Sequence, residues 1–194
     1  MLEQVAAPFR TPAAAPGPSM RDMYVALSER DIRPDAAADA AQWLRATLDA
    51  APSAPPALPK TAQQFAEWSA AHTEAVGEQY KHYLAERKAG APRRFFTNKS
   101  HALYFLKGVA PTKLVDGAWL FGLLKYWEQG AMRPLITTYL EELGNGVPEK
   151  NHVVIFQQLI DAHGCANWQG LPEDHFLQGL IQLAFAYNAD KFLP

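Results

Sequence analysis

The chain has 194 residues, of which 48% are hydrophobic and 11% aromatic, enough to build one compact core. The formal charge is -2 without a long block of Lys or Arg, which argues against a nucleic-acid partner. A single cysteine, Cys165, cannot form an internal disulfide. No apolar run reaches about 18 residues and no signal peptide is recognisable, so we expect a cytoplasmic protein without a membrane partner.

The first sixty residues are rich in Ala and Pro. Residues 1–20 carry few large apolar side chains and are predicted to form a disordered tail. Residues 21–60 are predicted to form a short helical arm, with helices over 23–30 and 35–50, followed by a Pro-rich linker. The remaining segment, 61–194, is predicted to be a helical-bundle domain.

That segment begins with a capping-box pattern, because Thr61 is followed three residues later by Gln64. Large side chains then recur at helical spacing to about Lys88, which predicts a long amphipathic helix. These side chains are Phe65, Trp68, His72, Val76, Tyr80 and Tyr83. Gly and Pro separate further predicted helices over 98–107, 112–129, 133–143, 148–163 and 172–189. Alternation with period two is absent, so the class is all-α. The chain stops after an apolar helix, and we expect the bundle to be incomplete at its C-terminus.

Glu142 and His152 stand on either side of a Gly-Asn-Gly turn, separated by nine residues, a spacing that suits metal ligands. A carboxylate in the last turn of a helix faces the negative end of the macrodipole, and an imidazole in the first turn is kept in its neutral, coordinating form. The alternatives are a solvated glutamate and a hydrogen-bonded core histidine.

Helical periodicity separates Glu142 from its neighbour Glu141. Glu142 lies on the side of Leu135 and Tyr139 and is predicted to point inward, whereas Glu141 is predicted to be solvated. His152 shares a face with Ile155, Phe156 and Leu159 and is therefore predicted to point to the core. Glu149 forms a Glu-x-x-His element with His152, but no second copy exists, which favours an ordinary acid at a helix N-terminus.

Asp116 lies in the middle of a predicted apolar stripe formed by Trp119, Leu120, Leu123 and Trp127. A buried carboxylate needs a cation, a hydrogen-bond donor or a metal. Asp116 could equally cap a neighbouring helix or pair with Lys113.

Other polar side chains are weaker candidates. His175, Gln178 and Gln182 form a polar stripe on the last helix, which is typical of an interface or a solvated face. Cys165 follows Gly164 in a predicted loop and has no placed base, so it is a poor nucleophile candidate.

Three stretches, NKSHALYFLKGVAPTKLVDGAWLFGLLKYW, PLITTYLEELGNGVPEKNHVV and QGLIQLAF, carry a resemblance to a known family. Over residues 95–194 the chain resembles the iron-containing redox enzymes with a haem-oxygenase-like fold, often called haem-oxygenase-like di-iron oxidases and oxygenases. The resemblance implies an all-α bundle in which two irons, bound by carboxylates and histidines, activate dioxygen for N-oxygenation, desaturation or carbon–carbon cleavage.

The resemblance makes Glu142 and His152 iron ligands, and it makes Asp116 a third, at a position where some members have Glu. In the family a further acid and a His/Asp/His group come from a second half that has no equivalent here. The chain is thus expected to carry half of a two-iron site, with partial or absent iron binding.

The leading functional prediction is an O2-activating di-iron oxidoreductase, or its N-terminal portion, acting on a small organic molecule. An aromatic wall of Trp119, Phe156 and Trp127 is expected to keep the site dry. The alternative is a non-catalytic helical binding or assembly module with an incomplete metal site. A metal-free enzyme would have only Cys165 as nucleophile. Expected partners are the substrate, O2, and a second copy or a second polypeptide that completes the bundle.

Overall fold

A computed structural model of the protein describes residues 17–51 and 59–192. Within these ranges there is no strand, and the all-α class is confirmed. The α-helices are α1 (Met20–Ser28), α2 (Pro34–Asp49), α3 (Ala62–Lys88), α4 (Lys99–Gly108), α5 (Ala110–Lys113), α6 (Arg133–Glu142), α7 (His152–Ala162) and α8 (Leu177–Phe192). None of them is both long and apolar enough to cross a bilayer.

The described residues form two compact units, 17–51 together with 103–192, and 59–102. Most of the predicted tail and nearly all of the predicted Pro-rich linker lie outside the described residues. The predicted domain boundaries at 20/21 and 60/61 therefore stay a prediction.

The core of the first unit lies where α1 and α2 pack on α8. Its largest side chains are fully buried, with Leu27, Leu44, Phe176 and Leu180 each 0% exposed. The ring of Tyr24 meets that of Phe176 edge to face, at a centroid distance of 5.4 Å, a favourable geometry for two aromatic side chains. This aromatic contact helps hold α1 in the core of the unit.

A buried amide ties α8 to α2. Asn188 is 1% exposed, and its Nδ2 donates to the carbonyl oxygens of Ala37 and Ala184, both at 3.0 Å. Its backbone leaves the helical region, with φ -133 and ψ 22. The amide therefore donates to a half-buried carbonyl of α2 at the position where α8 is interrupted.

In the second unit the predicted cap of α3 is confirmed, because Thr61 Oγ1 accepts a hydrogen bond from the backbone N–H of Gln64 at 3.2 Å. The predicted apolar stripe is exposed, with Val76 63% and Tyr80 59% accessible.

The predicted continuous helix over 112–129 is wrong. α5 ends at Lys113, a turn follows, and a 3-10 helix covers Ala118–Tyr126. Gly117 in the turn has a positive φ of 78, which cannot occur inside a right-handed helix. The 3-10 helix packs on α8 through Leu120 and Leu123, which are 1% and 4% exposed.

Candidate metal centre

Three side chains converge where the turn after α5 meets the ends of two helices. Asp116 lies in that turn, Glu142 is the last residue of α6 and His152 is the first residue of α7. Each offers one ligand atom, and the three atoms lie within 4.8 Å of one another. The structure thus brings together the three residues that the sequence singled out, while metal binding itself stays a prediction.

The connection between α6 and α7 fixes the separation of Glu142 and His152. Gly144 has φ 67, and a Cβ atom there would lie 2.5 Å from the backbone carbon of Lys150. Asn151 then caps α7, since its Oδ1 accepts from the backbone N–H groups of Val153 and Val154 at 3.0 and 3.1 Å. A left-handed glycine and a helix cap therefore close the turn on itself and place His152 beside the end of α6.

Gly117 brings Asp116 to the same place. A Cβ atom on Gly117 would lie 2.9 Å from Cβ of Glu142 and 3.8 Å from Cδ2 of Tyr139. No other residue allows the turn to approach α6 so closely. Burial raises the pKa of Tyr139, whose ring packs against this turn.

Glu142 points inward as predicted, with 24% of its side chain exposed, while Glu141 is exposed. Its Oε2 lies 2.5 Å from Nδ1 of His152, yet this buried oxygen has no hydrogen-bond partner among the described residues. The contact therefore has the distance of an ion pair without the angles of a hydrogen bond. An oxygen and a ring nitrogen that face each other in this way are suited to a shared cation.

The predicted inward orientation of His152 is wrong, because 51% of its side chain is exposed. Ile155 and Leu159 on the same face are 45% and 42% exposed. The reason is that α7 packs against Ala110 of α5 with Phe156 and Ile160, which lie one and two turns further along the same stripe, so the contact does not reach the start of the helix. His152 consequently lies at the rim of the site.

Asp116 is half-buried, with 21% of its side chain exposed, and it pairs with Lys113 at 2.8 Å between Oδ2 and Nζ. This ion pair is the alternative that the sequence left open for Asp116. Two carboxylates and one ammonium group leave the site with an excess of negative charge that favours a cation.

The predicted aromatic wall is wrong in two of its three members. Trp119 is 43% and Trp127 is 65% exposed, because the 3-10 helix presents Leu120 and Leu123 to α8 instead. Phe156 is the one half-buried member. The wall therefore does not enclose the site.

A cavity of about 500 Å³ adjoins Asp116. Lys113, Gln178 and Gln182 line it together with apolar side chains of α8 and with Trp119. The sequence assigned these glutamines to an interface or solvated face and missed the cavity. The spacing of the two glutamines by four residues was the one available signal, since it puts both on one helical face.

The residues present fit one iron ion. Carboxylate oxygens and imidazole nitrogen are suitable ligands for iron, and ligands of one ion stand at most roughly 4 Å apart when bonds are about 2.1 Å. The observed limit of 4.8 Å requires only small side-chain shifts, which the half-exposed His152 allows. Within 17–51 and 59–192 no other group of three such side chains was found.

Comparison with known proteins agrees with the resemblance. The sequence model of a family described as iron-containing redox enzyme matches residues 103–190, a stretch that includes all three converging side chains. Searches of curated proteins and of solved structures found no match. The match supports a redox function and suggests iron as the metal. Over residues 103–190 the chain is therefore similar to the iron-containing redox enzyme family.

Proposed function

We propose that Asp116, Glu142 and His152 bind iron and that the protein takes part in an O2-dependent oxidation of a small organic substrate. The observation that carries the proposal is the buried Oε2 of Glu142, which lacks a hydrogen-bond partner in the described residues and faces Nδ1 of His152. A buried carboxylate oxygen without a donor is costly by itself, and a metal ion would remove that cost.

Each side chain has a distinct part in this proposal. Glu142 supplies the buried carboxylate oxygen, Asp116 supplies a second carboxylate at the edge of the cavity, and His152 supplies a ring nitrogen at the solvent side. Iron bound here would supply the electron-transfer chemistry that links dioxygen reduction to substrate oxidation. The cavity beside Asp116 is the proposed position of the substrate.

A site with two irons would need more ligands than these three side chains provide. Three ligands suffice for one ion with open positions, and the described residues contain no second cluster. We propose that a second copy or a second polypeptide would supply the remaining ligands. The chain alone is then expected to bind no more than about one iron, and weakly.

The competing proposal is a non-catalytic helical binding or assembly module. It is favoured by the exposure of His152 and of Trp119, which leaves the centre open to water, where reactive oxygen species would escape. Metal binding distinguishes the two proposals, because the module requires none.

The test compares Glu142→Ala with Glu141→Ala in anaerobic titrations with Fe(II). Glu142→Ala should abolish measurable iron affinity, whereas Glu141→Ala should change it little, because Glu141 is exposed at the helix end. Thermal unfolding of the metal-free proteins provides an independent check. Loss of the Glu142 carboxylate, whose buried Oε2 has no hydrogen-bond partner among the described residues, should leave the melting temperature unchanged or raise it.

Two results would contradict the proposal. Equal iron affinities of the two variants would remove Glu142 from the site and favour the binding module. Two iron equivalents bound tightly by the chain alone would mean that the remaining ligands are within this chain at positions other than those proposed.

A further inference from the structure

The cavity beside the metal centre has a charged end and an apolar wall. Lys113 and Asp116 stand at the charged end, and Trp119, Ile181 and Phe185 contribute apolar surface. Its volume of about 500 Å³ lies within the range of cavities that hold small organic ligands. The ligand that fits such a space has an apolar body and one polar end.

Lys113 determines which polar group of a ligand would fit the charged end of the cavity. Its Nζ lies 2.8 Å from Oδ2 of Asp116, so the charge of the ammonium group is balanced as long as Asp116 binds no metal. A metal ion on Asp116 competes for the same carboxylate, and Lys113 then loses its partner. An anion in the cavity would restore that partner.

The amide side chains at the cavity add hydrogen-bond donors without charge. Gln182 Nε2 makes a long contact of 3.4 Å to the carbonyl oxygen of Thr112, and Gln178 is exposed. Lys113 is the one cationic side chain that lines the cavity. One cation with two amides suits a monoanion such as a carboxylate, whereas a doubly charged phosphate would leave one charge without a partner.

We infer that the cavity binds a carboxylic acid with an apolar body, that Lys113 holds its carboxylate, and that metal on Asp116 strengthens this binding by releasing Lys113. The inference names the substrate class of the proposed oxidation. Only the strengthening of binding by metal rests on that proposed function. The release of Lys113 can be imitated without metal, by Asp116→Asn.

The experiment measures binding of octanoate and of 1-octanol, which has the same chain length without charge, by calorimetry on the metal-free chain. Asp116→Asn should bind octanoate about tenfold more tightly than the unmodified chain, with 1-octanol unchanged. Adding Lys113→Met to Asp116→Asn should remove the preference for octanoate, while Lys113→Arg should keep it. Lys125→Met is the matched control, since Lys125 pairs with Asp190 at 3.5 Å outside this cavity and its loss should change nothing.

A redox-silent ion, Zn²⁺, then separates the two proposals. If Zn²⁺ binds and octanoate affinity rises in the unmodified chain but not in Lys113→Met, both proposals stand. If Zn²⁺ does not bind but Asp116→Asn still strengthens octanoate binding through Lys113, the metal site fails and the acid site stands. Equal octanoate affinities when Lys113→Met and when Lys125→Met is added to Asp116→Asn, or no octanoate binding by Asp116→Asn, would overturn the inference.

Discussion

Two regions of the same compact unit are built in different ways. Where α1 and α2 pack on α8, large side chains such as Phe176 are completely buried. Around the metal centre, α6 has no buried residue and α7 has one, Ile160. The second region has a small buried cluster formed by Ala110, Ile160 and Cys165, and it is shaped mainly by glycine conformations and a helix cap. The comparison indicates that stability is concentrated in the first region and that the site can be altered at small cost in folding.

The largest effect is expected from Phe176→Ala in the α1–α2–α8 core. Phe176 is 0% exposed and contacts the ring of Tyr24, so its truncation should lower the free energy of unfolding by about 3–5 kcal/mol. Leu140→Ala in α6 is the control, because Leu140 is 47% exposed and should cost less than about 1 kcal/mol. Urea unfolding measures both, and similar losses would abolish the distinction between the regions.

Gly144→Ala should have the next largest effect, compared with Gly146→Ala. Both glycines have positive φ, 67 and 81, and each substitution should cost about 1–2 kcal/mol for that reason. Only at Gly144 would the new Cβ also overlap the backbone of Lys150, at 2.5 Å, whereas nothing lies within 4 Å at Gly146. Gly144→Ala should therefore be less stable than Gly146→Ala and should lose at least about tenfold in metal affinity.

Denaturant unfolding and Fe(II) titration of the two glycine variants test this difference. If Gly146→Ala weakened metal binding as much as Gly144→Ala, closure of the α6–α7 connection would not be what positions His152.

The smallest effect is expected from the two helix caps, one in each region. Asn151→Ala removes the cap of α7. Ser19→Ala removes the cap of α1, where Oγ of Ser19 accepts a hydrogen bond from the backbone N–H of Asp22 at 3.1 Å. Each should lower the free energy of unfolding by about 1 kcal/mol. Asn151→Ala alone should also weaken metal binding, because His152 follows it directly. Loss of metal affinity in Ser19→Ala would show that the two regions are not independent.

The parts predicted from sequence are those that local rules control. The α3 cap, the end of α6 near Glu142 and the inward turn of that side chain follow from capping patterns and helical period. The failures arise from contacts distant in sequence. Gly117 breaks the predicted helix because it adopts a positive φ where the chain approaches Glu142 of α6, 25 residues further along. Local sequence patterns do not report that contact. The exposure of His152 depends on where along α7 the contact with α5 lies, and periodicity does not determine that position.

The half-exposed side chain of His152 has a kinetic consequence. The His152 side chain can turn toward solvent and back to the site by rotation about its own bonds, without any opening of the helices. Such rotations take picoseconds to nanoseconds in exposed residues. Entry and loss of an ion at the proposed site would therefore be fast compared with unfolding of the chain. Its metal content would follow the surrounding free ion concentration, and chelators would strip it from the folded protein.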